Sequence, residues 1–251
     1  MPKNLLDKKF RERTKSYQFD MLYPVFQPIV DTRTGKVIGY ESLVRRKGKL
    51  CRPGDLIQRS YEEGLIIALN LECIKSSLRI LPKMDNDKLL FVNVEPVTLG
   101  HCFAKGQEAH FLLRQYAAYR RRIVFELTEG MKIRDFPRIK RGVYFLLKLG
   151  CKFALDDVVG IGTKLAKLMT LQPHFIKIGM ELVQRVNHSP FQQGLLGQIV
   201  NIGYNHNAKI IAEGIERKKD LAFLKHLGVY YAQGFYFARP KKTLQKTARN
   251  C

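Results

Sequence analysis

Short β-branched runs alternate along this chain with longer stretches whose apolar residues recur at helical spacing. Residues 25–31 and 37–45 read as strands, and the polar stretch between them, with Gly35, reads as a turn, so the chain opens with a β-hairpin. Pro53 and Asp55 suit a helix start, and residues 65–81 are apolar at helical spacing. Residues 88–94 predict a buried strand, followed by a polar, basic segment with no assigned element. A strand over 122–127 and a helix over 136–149, stopped by Gly150, come next. The rhythm then repeats as strands 152–156, 175–178, 209–212 and 230–237, separated by helices 164–171, 191–205 and 218–227.

Eight strands, the later ones separated by helices, predict an α/β fold, a TIM-like (β/α)8 barrel whose first strand runs antiparallel to the second. A doubly wound open sheet is the rival, but it would carry a glycine-rich phosphate turn after its first strand, where this chain has a hairpin. With no linker rich in Pro, Gly or Ser, the organisation expected is a charged N-terminal extension over 1–20, one domain over 21–240 and a basic tail over 241–251.

Composition narrows the function classes. A chain of 251 residues with 45% hydrophobic and 26% charged residues is neither disordered nor low in complexity, and it can bury a core without disulfides or structural metal. The longest apolar candidate, residues 65–71, contains Asn70 and is followed by Glu72, so no transmembrane segment is expected. Residues 1–15 are charged throughout, unlike a secretory signal. The five cysteines are scattered without a C-x-x-C pair and read as free thiols in a reducing cytoplasm. Lys and Arg number 44 against 22 Asp and Glu, a formal net charge of +22, concentrated at 120–122 and 239–251. Such a surface attracts polyanions. No zinc-ligand spacing, RNP-like aromatic run or helix-turn-helix signal accompanies it, so nucleic acid is not the expected partner.

The placement of carboxylates is more informative. Glu41 falls late in the second strand and Asn93 late in the third. Glu126 and Glu129 close the fourth, Asp156 and Asp157 the fifth, and Glu213 and Glu216 the seventh. Lys177 ends the sixth, and Gln233 lies in the eighth. In a barrel these strand ends converge on the face where active sites are built. Acids packed so closely must protonate or be neutralised by bound cations. Oxygen donors from Asp, Glu and Asn suit Mg²⁺ or Mn²⁺ rather than zinc, and the adjacent pair Asp156–Asp157 invites two ions sharing a ligand, an arrangement used for phosphodiester cleavage. The six histidines show no paired ligand spacing.

These residues resemble the EAL-domain family of cyclic di-GMP phosphodiesterases over about residues 26–240. Gln27-Pro28-Ile29-Val30 and Gly39-Tyr40-Glu41-Ser42-Leu43-Val44-Arg45 resemble the opening strands, with the E-A-L signature written Glu41-Ser42-Leu43. Phe91-Val92-Asn93-Val94, Phe125-Glu126-Leu127-Thr128-Glu129, Ala154-Leu155-Asp156-Asp157, Ile176-Lys177-Ile178, Ala212-Glu213-Gly214-Ile215-Glu216 and Gln233-Gly234-Phe235 follow in family order. The resemblance implies two ions, Mg²⁺ or Mn²⁺: Glu41, Asn93, Glu126 and Asp156 hold the first, and Asp156 bridges to the second, which Asp157 helps to bind. Lys177 then positions and polarises the attacking water, and Glu213 acts as general base or as a partner of that water. Gln27, Arg45 and Gln233 serve the substrate, and Glu129 and Glu216 support nearby loops. The reaction implied is hydrolysis of cyclic di-GMP to linear pGpG.

Two departures stand out. The family string F-G-T-G-Y-S-S after the Asp pair is here Val158-Val159-Gly160-Ile161-Gly162-Thr163-Lys164, and the family K-I-D becomes Lys177-Ile178-Gly179. The altered loop, which in the family also contributes to homodimer contacts, opens a second reading: a non-catalytic module that binds cyclic di-GMP as a receptor or regulates a protein partner.

Overall fold

The computed structural model describes residues 21–48, 53–104, 107–128 and 135–245. It is a closed barrel with strands in sequence order. β1 (Leu22–Asp31) and β2 (Lys36–Arg46) form the antiparallel hairpin the alternation predicts, with Gln27 opposite Glu41. Parallel to β2 run β3 (Leu89–Asn93), β4 (Ile123–Thr128), β5 (Lys152–Val158), β6 (Phe175–Ile178), β7 (Lys209–Ala212) and β8 (Tyr231–Ala232). β8 closes onto β1 antiparallel, pairing Ala232 with Val30.

Helices wrap the barrel: α1 (Pro53–Glu62), α2 (Ile66–Leu78), α3 (Pro96–Thr98), α4 (Gln107–Arg114), α5 (Phe136–Lys148), α6 (Thr163–Met169), α7 (Met180–Val183), α8 (Pro190–Asn205) and α9 (Lys218–His226). Strand alternation sends successive side chains to opposite faces. One set meets the helices in the large outer core, which includes Phe125, Leu155, Ile176, Val143 and Leu196. The other fills the barrel axis with Ile29, Phe91, Val124, Ala154, Phe175 and Ile211. Within that plug, the rings of Phe91 and Phe175 meet edge to face at 5.1 Å.

Two expectations change. The basic segment after β3 is structured: α3 runs into a π-turn over Leu99–Phe103, then α4 and a 3-10 turn over Ala117–Arg122. Buried Leu99, Cys102, Phe103, Leu112, Leu113 and Tyr116 hold it to the core, a helical spacing masked by intervening His, Lys and Arg. The eighth strand, expected over 230–237, stops at Ala232, because the backbone then folds on itself, Phe237 and Ala238 both donating to Gly234 O at 3.1 Å.

Part of the basic excess is structural. Arg122 donates to Lys88 O at 3.1 Å and to Met84 O at 3.3 Å, tying down the loop before β3. Cys73, Cys102 and Cys151 are free thiols, while Cys51 and Cys251 lie outside the described residues. Among the described residues, no helix is long and apolar enough to cross a membrane.

Candidate active site

The inward face of each strand sets the site. Phe91, Val124, Ala154, Phe175 and Ile211 belong to the axial plug, and two residues further along the same chain stand Asn93, Glu126, Asp156, Lys177 and Glu213. A step of two keeps a side chain on the same face, so these polar groups sit directly above the plug at the carboxyl ends of the strands. β1 runs the other way, and there the partner of Ile29 is Gln27, two residues earlier. β2 adds Glu41, and Gln233 follows β8.

Lys177 is the hub. Its Nζ lies 2.7 Å from Glu126 Oε1, 2.7 Å from Glu213 Oε1, 2.9 Å from Asp156 Oδ1 and 3.4 Å from Glu41 Oε2. Glu126 and Lys177 are both 0% exposed. Glu41 is further held by Asn93, whose Nδ2 donates to Oε1 at 3.3 Å, and by Gln233, whose Nε2 donates to Oε2. Gln233 also donates to Gln27 Oε1 at 3.0 Å, and Gln27 donates to Ala238 O at 3.1 Å. The structure therefore brings Glu41, Asn93, Glu126, Asp156, Lys177, Glu213, Gln27 and Gln233 into one network.

Arg45, Glu216 and Asp157 stand apart from the hub and line an open cleft of about 790 Å³ above it, together with Tyr23, Met180, Phe235 and Arg239. Glu41, Glu213 and Gln233 reach the floor of this cleft, whereas Glu126 and Lys177 lie beneath it. Glu129 falls outside the described residues.

Crowding fixes the electrostatics. Burial pushes the Glu126 carboxyl well above its ordinary value, and Glu41 and Asp156 add to the rise against the pull of Lys177. Glu213 is pushed up to about 8, again chiefly by burial. Burial alone would lower Lys177, but Asp156, Glu126, Glu213 and Glu41 together outweigh it and hold the ammonium charged. Asp157 keeps much of its surface in solvent; the covered part raises its carboxyl, and Asp156 and then Glu181 add to the effect.

Four carboxylates share one ammonium, and no three of the described His, Cys, Asp or Glu side chains form a metal-ligand group as they stand. Divalent ions nevertheless fit this chemistry. Both Glu126 oxygens and Asp156 Oδ1 are buried without a well-angled hydrogen-bond donor, although Lys177 is within ion-pair distance. Every anionic donor is a hard oxygen.

Sequence reasoning missed three contributors. Asn70, noted only as a break in an apolar run, lies buried on α2, donates to Asn93 O at 3.2 Å and accepts from Glu95 N at 3.0 Å. A polar residue on the buried side of an apolar helix was the available signal. Phe235 and Arg239 form the cleft rim, with the guanidinium 4.2 Å from the ring centroid.

Comparison with known proteins agrees with this geometry. Cyclic di-GMP phosphodiesterase PdeR of Escherichia coli K12 is 30% identical over 235 residues, covering 90% of this chain and 35% of PdeR. The chain spans between 27% and 56% of the length of such curated relatives. A standalone EAL protein of Vibrio cholerae O395, solved with c-di-GMP bound, superposes with a TM-score of 0.77 at 28% identity over 90% of this chain and 95% of that one. Bacillus subtilis YkuI, solved with c-di-GMP and calcium, shares the fold at 24% identity, with a TM-score of 0.79 over 94% of this chain and 58% of YkuI. With the EAL domain family model matching residues 11–240, the barrel and its crowded mouth identify this chain as a member of the EAL domain family.

Proposed function

We propose that this protein hydrolyses one phosphodiester of cyclic di-GMP to give linear pGpG, using two divalent ions, Mg²⁺ or Mn²⁺. The observation that carries this is the set of inward polar side chains from successive strands, closing on Lys177 with more carboxylate than one ammonium can balance. The family and the ligands of the Vibrio cholerae and Bacillus subtilis proteins support the substrate class.

Glu41, Asn93, Glu126 and Asp156 would hold one ion, and Asp156 with Asp157 the other. When bound, the ions offset the carboxylate charge, polarise the phosphodiester and acidify a water. The remaining work falls to the chain. Lys177 orients the attacking water through its ammonium. Glu213, which reaches the floor of the cleft beside Lys177, takes the proton as general base. Gln233 and Gln27 fix the orientation of Glu41, and Asn93, whose amide already donates to Glu41, keeps its carbonyl oxygen as the donor to a cation. Arg45 and Arg239 face the cleft as the cationic partners of substrate phosphates. Glu216 supports the cleft wall and Glu129 the loop that follows β4.

The setting proposed is a reducing cytoplasm, with one catalytic domain over 21–240, a charged extension over 1–20 and a basic tail over 241–251. A second copy of the chain is a partner through the loop after β5, where Val159 and Ile161 are exposed.

Purified protein incubated with cyclic di-GMP and Mn²⁺, with products separated by ion-exchange chromatography, should release pGpG, and Glu41→Ala should not. No product above that control overturns hydrolysis. The altered loop over 158–164 favours one second reading, a non-catalytic cyclic di-GMP receptor or protein-binding regulator. Calorimetry showing tight nucleotide binding without turnover would establish its receptor form, and absence of nucleotide binding would point to a protein partner.

A further inference from the structure

The two departures from the family pattern touch each other. Val159 stands where the family string carries glycine, and Gly179 where K-I-D carries aspartate. Gly179 N donates to Val158 O at 3.1 Å, which holds the first residue after β6 against the end of β5. Its backbone, φ −60° and ψ 148°, is open to any residue, so conformation does not call for glycine. Space does. A Cβ at residue 179 would run into Asp157 Oδ1 and stand 2.7 Å from Val159 Cγ1. The room of the missing side chain is filled from the β5 side, by the Asp157 carboxylate and a Val159 methyl. Asp157 itself holds a left-handed backbone, φ 56°.

We propose that Gly179 is a positioning residue for Asp157: with no side chain at residue 179, the notch between β5 and β6 admits the Asp157 carboxylate, with a Val159 methyl beside it. The absence of a side chain at residue 179 then leaves the Asp157 carboxylate its seat at the edge of the cleft. Its consequence for the second cation rests on the metal-dependent reading above; its consequence for the position of Asp157 does not.

The test compares full-length wild type, Gly179→Ala, Val159→Gly, the double variant and Gly160→Ala, by crystal structure and by Mn²⁺ titration calorimetry. Gly160 lies in the same loop, and a Cβ there meets nothing within 4 Å, so its variant should behave as wild type. Gly179→Ala should displace the Asp157 carboxylate and weaken the second Mn²⁺ by about tenfold while sparing the first, the scale seen when a supporting contact to a ligand is lost. The double variant loses the Val159 contact but keeps the Asp157 one, so it should recover position and affinity only in part. Should Gly179→Ala fail to fold, Val159→Gly decides: it should leave the notch half filled and the Asp157 carboxylate shifted. An Asp157 carboxylate unmoved in Gly179→Ala, or a double variant no closer to wild type than Gly179→Ala, overturns the inference. A wild type that binds no Mn²⁺ overturns the metal reading instead, and the position of Asp157 in the crystals still decides this one.

Discussion

Lys177 Nζ and Glu126 Oε1 stand 2.7 Å apart, both side chains wholly enclosed, reaching from β6 and β4 across the mouth of a barrel whose axis below them is filled by hydrocarbon. An ion pair so placed is held by its neighbours as much as by its own attraction, because Asp156, Glu213 and Glu41 share the same ammonium.

Removing that ammonium should therefore be costly. Lys177→Met leaves several carboxylates uncompensated, and breaking a buried pair from one side destabilises by about 3–5 kcal/mol. Urea unfolding in EDTA should register this loss, and saturating Mn²⁺ should recover part of it. A Lys177→Met melt equal to wild type in EDTA would contradict the hub arrangement.

Asn70 supports Asn93 from behind. Asn70→Ala withdraws both the donor to Asn93 O and the acceptor of Glu95 N, leaving backbone groups short of partners at a cost of about 1–3 kcal/mol. Asn70→Asp keeps the acceptor and should fall between the two. Chemical denaturation of the three proteins gives the ranking.

At the cleft rim, Arg239 is held over Phe235. Its removal should act on binding more than on chemistry: Arg239→Ala should raise KM for cyclic di-GMP about tenfold, with a smaller change in kcat, as expected of a charge that meets substrate in the ground and transition states alike. Steady-state kinetics with Mn²⁺ separates the two, and a fall confined to kcat would place Arg239 elsewhere in the reaction.

The pH dependence of stability has a contribution from the opposite end of the barrel. His174, just before β6, has its Nδ1 buried without a hydrogen-bond partner. Burial, then the charge of Lys152, hold its pKa below the ordinary 6.5. A histidine depressed in the fold binds its proton more readily when unfolded, so its contribution is present above pH 6.5 and is lost as pH falls below it. Urea midpoints at pH 7.0, 6.0 and 5.0 should fall less steeply in His174→Gln than in wild type.

The barrel was legible because strand alternation and helical spacing both survive in the sequence. The hub was legible because Asn93, Glu126, Asp156 and Lys177 each end an apolar strand, a position where a polar side chain has few structural excuses. The helical turns over residues 96–103 and 107–122 were hidden because their buried residues are interleaved with polar and charged ones. Phe237 is buried and apolar like a strand residue, and only backbone bonds closing on Gly234 show that it belongs to a turn. The pairing of Gln27 with Gln233, 206 residues apart, depends on barrel closure and has no local signal.

That closure joins the two ends of the domain. Val30 pairs with Ala232, and Phe26 exchanges both backbone bonds with Lys241, so β1 finds its second neighbour only once residues 231–241 are in place. Until then β1 is a bare edge with unpaired amides and carbonyls, the kind of surface on which chains template one another into aggregates. Contacts of such long sequence separation form late and slowly. Expression yields should accordingly collapse for chains truncated ahead of Tyr231, and a nascent chain stalled there would need a chaperone to mask that strand.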